Sequence, residues 1–444
     1  MRWLAGIAAL VVATLVLHVI SATAPVEARA TLGLGLLLLA AALGGALAAR
    51  FGLPRVTGYI VAGLAMGPAW RGYVRADEVD ALRIVLDAGF ALIALALGME
   101  LKLDLLVRHA RAIGRVVLGV IVVPLLAVAL FVLLLGSWFP LTVRQPFGDR
   151  LTVALVLGAL AAASSPLATK AVIDELRTRG LLTRLLQVVL AVKDAAIVLV
   201  VGLMLGVAAL LGSKGTVEPS VLWRAPLVFI GSIGLGVAGG WVASLYLRAT
   251  REHGPLIVVA WGFVAAYITL RLQLEVLVVG LSAGCFLINA ARGEAERLLR
   301  VLGRGSVPLY AVTFVLFGAG LQLGALGDVW PWIVAIAVLR AFGLHYGLVW
   351  AGRDVGVSPT LVRHGWVGFV SQAGVTVGLA TLVRRAFPEW GVSLEAFVLG
   401  MIGVHETIGP IMYRWALQRP GAGEARNAEV VQADSLAVVP GGRL

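Results

Sequence analysis

Lys193 and Asp194 stand side by side in the middle of an apolar run from Leu185 to Leu205. A run of that length reads as a helix crossing a bilayer. An ionisable side chain near the midplane costs about 3 kcal/mol on insertion scales, and such residues mark ion or proton pathways. Gln187 lies seven residues before Asp194 on the same helical face, where it would line an entry to the pair. Two other apolar segments are interrupted by residues that break helices, Ala163-Ser164-Ser165-Pro166 and Ser371-Gln372-Ala373-Gly374. Each interruption leaves carbonyls and amides unpaired at depth, which is tolerated only beside a cavity or inside protein, and adds the dipole ends of two half-helices. Gln372 and Thr376 sit at and just after the second break and would line that cavity. The sequence has no metal-ligand cluster, nucleophile elbow or phosphate-cradling loop in its strand context, so it does not read as an enzyme and calls for no cofactor. The one cysteine, Cys285, has no partner for a disulfide or a thiol metal site.

The elements around these residues follow from hydropathy. Of 444 residues, 60% are hydrophobic and 14% charged, a composition that excludes an ordinary soluble domain. The fold class is an all-α polytopic membrane protein with about thirteen crossings, near residues 31–49, 56–69, 82–100, 112–135, 151–172, 185–211, 226–247, 255–270, 275–291, 307–323, 330–350, 365–383 and 394–417. The net charge of +12 reads as topology rather than nucleic-acid binding, because the basic residues gather in alternate connections. Clusters such as Lys102 to Arg115, Lys170 to Arg184 and Arg297 to Arg304 would be cytoplasmic, which puts Thr31 outside and the C-terminal tail inside. Within them, Lys170, Asp174 and Glu175 read as loop residues that set topology. Residues 1–30 read either as a cleaved signal peptide or as an extra N-terminal helix. Residues 418–444 read as a disordered cytoplasmic tail, and no nucleotide-binding domain is present. The 54 glycines suit close helix packing. If crossings one to six and eight to thirteen are inverted repeats, both breaks occupy the fifth helix of their repeat, a pattern that points to an ion site.

Several stretches, in order, resemble the monovalent cation/proton antiporter superfamily, which includes sodium/hydrogen exchangers and Kef-type potassium efflux proteins. Residues Val56 to Pro68 (VTGYIVAGLAMGP) look like its first conserved helix, and Leu97-Gly98-Met99-Glu100-Leu101 like the end of its third crossing. Ser164-Ser165-Pro166 followed by Arg179 to Arg184 resembles its broken helix and loop, and Phe317-Gly318-Ala319-Gly320-Leu321 its Phe-x-x-x-Gly-Leu stretch. His405 to Ile411 (HETIGPI) is similar to the last helix of the Kef-type branch. The resemblance implies a homodimer in a bacterial inner membrane, exchanging a monovalent cation for protons by alternating access. It also implies a dimerisation part (31–100 and 255–325), a linker helix (226–247) and a moving core (110–211 and 330–417) in which the two broken helices cross. Asp194 matches the family's ion-carrying carboxylate and would bind Na+ or K+, since cation and proton compete for one negative charge. Carbonyls near Ser164 and Ser165, with the Ser165 hydroxyl, would complete the oxygen shell. Arg340 matches a basic position that the family places opposite that carboxylate.

Lys193 departs from the family, which has an acid or an amide there. With Asp194, Lys193 and Arg340 all ionised, the site carries one net positive charge and would repel a cation. Lys193 as a proton carrier answers that, pairing with Asp194 when charged and freeing it when neutral, which makes the exchange electroneutral. Two other readings stay open: a proton-coupled transporter of small anions held by Lys193, Arg340 and the half-helix N-termini, and a structural or sensory membrane protein that transports nothing. Dependence of activity on Na+ or K+ separates them from cation exchange. Asp87 reads equally as lining a water path and as exposed, and Glu406 with His405 reads as a structural pair.

Overall fold

The computed structural model describes residue 12 and residues 24–178, 181–211, 220–249, 254–321, 327, 329–353 and 359–419. Among them every regular element is helical. The principal helices are α1 (Val26–Arg50), α2 (Arg55–Met66), α3 (Arg83–Gly98), α4 (Ala110–Leu134), α5 (Phe147–Ala162), α6 (Pro166–Leu176), α7 (Leu181–Leu211) and α8 (Ser220–Ala249). They continue with α9 (Gly254–Leu272), α10 (Val276–Ala290), α11 (Arg292–Arg304), α12 (Ser306–Gly320), α13 (Trp330–Gly352), α14 (Val375–Ala386) and α15 (Pro388–Leu417). A 3-10 turn, Gly365–Phe369, precedes α14.

Seven spans among the described residues are long and apolar enough to cross a membrane by themselves: Val26–Arg50, Ala110–Leu134, Phe147–Leu176, Leu186–Ala208, Pro226–Ala249, Trp330–Gly352 and Glu389–Leu417. The pair α11 and α12, bent by 66°, makes an eighth if taken as one span. The other expected crossings are shorter helices, from 12 residues in α2 and α14 to 19 in α9, against the ~20 that a hydrocarbon core requires. Hydropathy counts apolar runs, and the breaks and tight connections cut some of those runs below a full span.

The first helix starts at Val26, earlier than hydropathy alone places it, and the Ala28-Arg29-Ala30 stretch forms its opening turn. Arg29 is held there by Asp77 at 2.7 Å. Most of the expected signal peptide or extra helix, and the tail from residue 420, lie outside the described residues.

Packing sorts the helices into two sets. α1, α2, α3, α10 and α12 pack on one another, with α9 against α3. α4, α5, α7 and α13 form the other, closed by α14, α15 and the 3-10 turn, while α8 touches both α10 and α7. Within each set the backbones meet at glycines. At Gly44 with Gly58, at Gly98 with Gly284 and at Gly119 with Gly347, a Cβ would collide with the facing main chain. Such contacts replace the hydrophobic drive that lipid cannot supply between helices.

Candidate functional site

The two breaks cross, and main chain joins them. α5 ends at Ala162, the chain runs extended through Ala163, and Ser165 caps α6 by accepting from the Ala168 amide at 3.5 Å, with Pro166 in the first turn. In the second break the chain leaves the 3-10 turn and reaches Gly374, whose φ of +47° favours glycine. The Ser165 amide donates to the Ser371 carbonyl at 2.7 Å. Gln372 Nε2 donates to the Leu160 carbonyl at 2.7 Å, and the Thr169 hydroxyl to the Gly368 carbonyl at 2.9 Å. The N-termini of α6 and α14 thus both begin at the crossing, with their positive dipole ends there.

Arg340, fully buried on α13, serves this crossing directly. Its Nε donates to the Ala161 carbonyl at 2.5 Å, Nη1 to Val370 at 2.6 Å, and Nη2 to Ala163 at 2.6 Å and Phe369 at 3.0 Å. These are the carbonyls that the two interruptions orphan, and a buried orphan costs about as much as a lost hydrogen bond. The family resemblance set Arg340 opposite the Asp194 carboxylate. In the structure its donors go to main chain of both breaks, and Asp194 receives none of them.

Asp194 is 2% exposed, and neither of its oxygens has a hydrogen-bond partner. Lys193 is fully buried, and its Nζ donates to Ser164 Oγ at 2.5 Å and lies 5.1 Å from the Phe369 ring centre. Ser164 in turn donates to the Phe369 carbonyl at 2.7 Å. The geometry therefore ties Lys193 to the first break rather than to Asp194. The Ser165 hydroxyl also has other work: it donates to Glu406 Oε1 at 3.3 Å. Gln187 Nε2, Gln372 Oε1 and Thr376 Oγ1 are buried without partners, whereas Ser371 contributes its carbonyl to the crossing.

Glu406, read from sequence as a structural pair with His405, is bonded at the first break instead. It is fully buried in α15, with Oε1 on the Ser165 hydroxyl and Oε2 unpartnered. α15 comes this close because Gly409 lies against Ser371, where a Cβ would meet the serine. The available signal was a carboxylate one helical turn before a Gly-Pro in an apolar helix.

Charged groups also flank Asp194 at the two ends of the helices. At one end Lys170 meets Asp174 at 2.8 Å and Glu100 at 3.6 Å, and the Tyr310 hydroxyl donates to Asp174 at 2.5 Å. Glu175 accepts from the Arg55 amide at 2.8 Å and from Arg414 at 3.1 Å. These residues, read from sequence as loop, lie on α6 because that half-helix runs on to Leu176 and tucks against the other set. At the opposite end, Asp87 on α3 pairs loosely with Arg83 at 3.8 Å, and Glu275 precedes α10 beside Gly378. Among the described residues, no three His, Cys, Asp or Glu side chains converge on a metal position.

The model of the transmembrane sodium/hydrogen exchanger family matches residues 36–392. The chain is 24% identical over 361 residues to the Na(+)/H(+)-K(+) antiporter GerN of Bacillus cereus, covering 78% of this chain and 86% of that protein. Its fold is similar to that of the sodium proton antiporter MjNhaP1 from Methanocaldococcus jannaschii, at 16% identity in two structures. The one at pH 8 gives a TM-score of 0.60 over 90% of this chain and 98% of that one. The other, from electron microscopy, gives 0.65 over 92% and 98%.

Proposed function

Because the chain belongs to the sodium/hydrogen exchanger family, whose members are integral membrane transporters and not enzymes, we propose that it exchanges Na+ or K+ for protons by alternating access, with Asp194 as the shared carrier. The observation behind this reading is the state of Asp194: a buried carboxylate with both oxygens unbonded, beside a crossing whose other main-chain groups are largely satisfied. An unpaired buried carboxylate is costly unless a proton or a cation completes it. One carboxylate holds one or the other, which makes the exchange one-for-one and electroneutral. The name of the GerN antiporter, which carries both Na+ and K+, supports either as cargo.

The two packing sets support a dimerisation part, residues 31–100 and 255–325, against which a core of 110–211 and 330–417 moves, with 226–247 as linker. In this reading the protein is a homodimer in a bacterial inner membrane, its basic end and C-terminus cytoplasmic. The anion reading loses one of its ligands, since the guanidinium of Arg340 is spent on four carbonyls.

The test is exchange in liposomes carrying a lumenal pH dye and an imposed pH gradient. Na+ or K+ should trigger dequenching in the wild type and not in Asp194→Asn. Silence of the wild type with both cations, in vesicles shown to hold their gradient, overturns the reading.

A further inference from the structure

Counting charge around the crossing leads to Glu406. Lys193 and Arg340 are two cations fixed by serine and carbonyl oxygens, and both are fully buried. Against them the crossing itself offers one negative charge, Asp194, with Glu275 facing it from the other helix set, so the crossing by itself carries an excess positive charge that opposes cation binding. A second acid at position 193 would remove that excess, but lysine occupies it. Among the described residues the remaining buried acid at the crossing is Glu406, 241 residues from Ser165 in the chain and bonded to its hydroxyl.

We propose that Glu406 is the positioning carboxylate of the ion site, supplying from the last helix the negative charge that Lys193 displaces from the sixth crossing. With all four groups ionised the pocket is neutral, so Asp194 accepts a cation or a proton while Lys193 keeps its proton throughout the cycle. The hydrogen bond from Ser165 holds Glu406 beside the N-terminus of α6, where a helix dipole favours negative charge. Glu406 need not touch the transported ion; it acts through the field at Asp194. The inference rests on the exchange reading above, and a wild type silent toward Na+ and K+ would remove both together.

The experiment compares Glu406→Gln, Glu406→Asp, Lys193→Gln and the double variant Lys193→Gln/Glu406→Gln in the same liposomes, reading half-maximal Na+ or K+ concentration separately from maximal rate. Removing one unit charge from a buried pocket should raise the half-maximal concentration about tenfold or more in Glu406→Gln. Glu406→Asp, which keeps the charge and shortens the side chain, should stay within about threefold of wild type. The double variant restores neutrality and should recover most of the loss. A role in shape alone predicts the reverse order, because glutamine matches glutamate in size and aspartate does not. The proposal is overturned if Glu406→Gln binds the cation as wild type does, or if removing Lys193 fails to improve on Glu406→Gln. Should Glu406→Gln not fold, the double variant and Glu406→Asp carry the test. A double variant that folds and transports supports the proposal, and one without cation response, beside an impaired Glu406→Asp, overturns it.

Discussion

At the Lys170 end of the molecule the two helix sets are stitched together, and at the Glu275 end they are not. Lys170, Asp174 and Glu175 on the core half-helix α6 reach Glu100, Tyr310 and the Arg55 amide on the facing set. At the other end Asp87 and Glu275 both belong to the first set; Gly378 lies against Glu275, and among the described residues no hydrogen bond or ion pair joins either carboxylate to the other set. Each stitch is modest, about 0.5–1.5 kcal/mol for a neutral hydrogen bond and up to ~3 kcal/mol for one to a charged group. A handful of such contacts matches the few kcal/mol that separate two exchanging conformations. The difference concentrates the polar contacts between the two sets at the Lys170 end, while the carboxylates at the other end, Asp87 and Glu275, stay on one set.

Four substitutions break or sharpen this contrast. The largest effect belongs to the residue between the ends: Asp194→Asn should reduce cation-triggered dequenching to the level of empty vesicles, whatever the state of either end. Next, Lys170→Met removes the cation from between Asp174 and Glu100 and should promote opening at that end by about 2 kcal/mol. Native-state hydrogen exchange would read this as a roughly thirtyfold rise at residues 100–102 and 172–176, with the Glu275 end unchanged. Equal acceleration at both ends would dissolve the comparison. Tyr310→Phe deletes a single donor to Asp174 and should loosen the same segment by about 1 kcal/mol, close to fivefold in exchange rate. The smallest change is expected at the other end, where Glu275→Gln should raise the half-maximal cation concentration about threefold through a weakened local field, without altering the maximal rate. A loss as complete as that of Asp194→Asn would instead place Glu275 in the binding shell.

Much of the site could be read before any coordinate. Asp194 and Lys193 stand out because charge in an apolar run is conspicuous, and Ser165-Pro166 and Gly374 because proline and glycine interrupt helices for reasons local to their own backbones. The alternation of basic connections was visible for the same reason: it is a response to the membrane, which every residue meets independently. The place of Glu406 at the crossing escaped because its helix looks continuous and its partner, Ser165, lies far along the chain. Lys170, Asp174 and Glu175 escaped because three charges after a short apolar stretch resemble a solvated loop until another helix is found beside them.

The sequence by itself therefore determined the solvent and the helical class, since each depends on the free energy of transferring one segment between water and lipid. Only the tertiary structure decided what the ionisable residues bond to. Arg340 clamps carbonyls from two breaks, Lys193 turns to Ser164 rather than to its neighbour Asp194, and Ser165 turns to Glu406. Such choices depend on which orphaned groups arrive within about 3 Å of one another. That proximity comes from the crossing of helices far apart in the chain, and no periodicity along one segment encodes it.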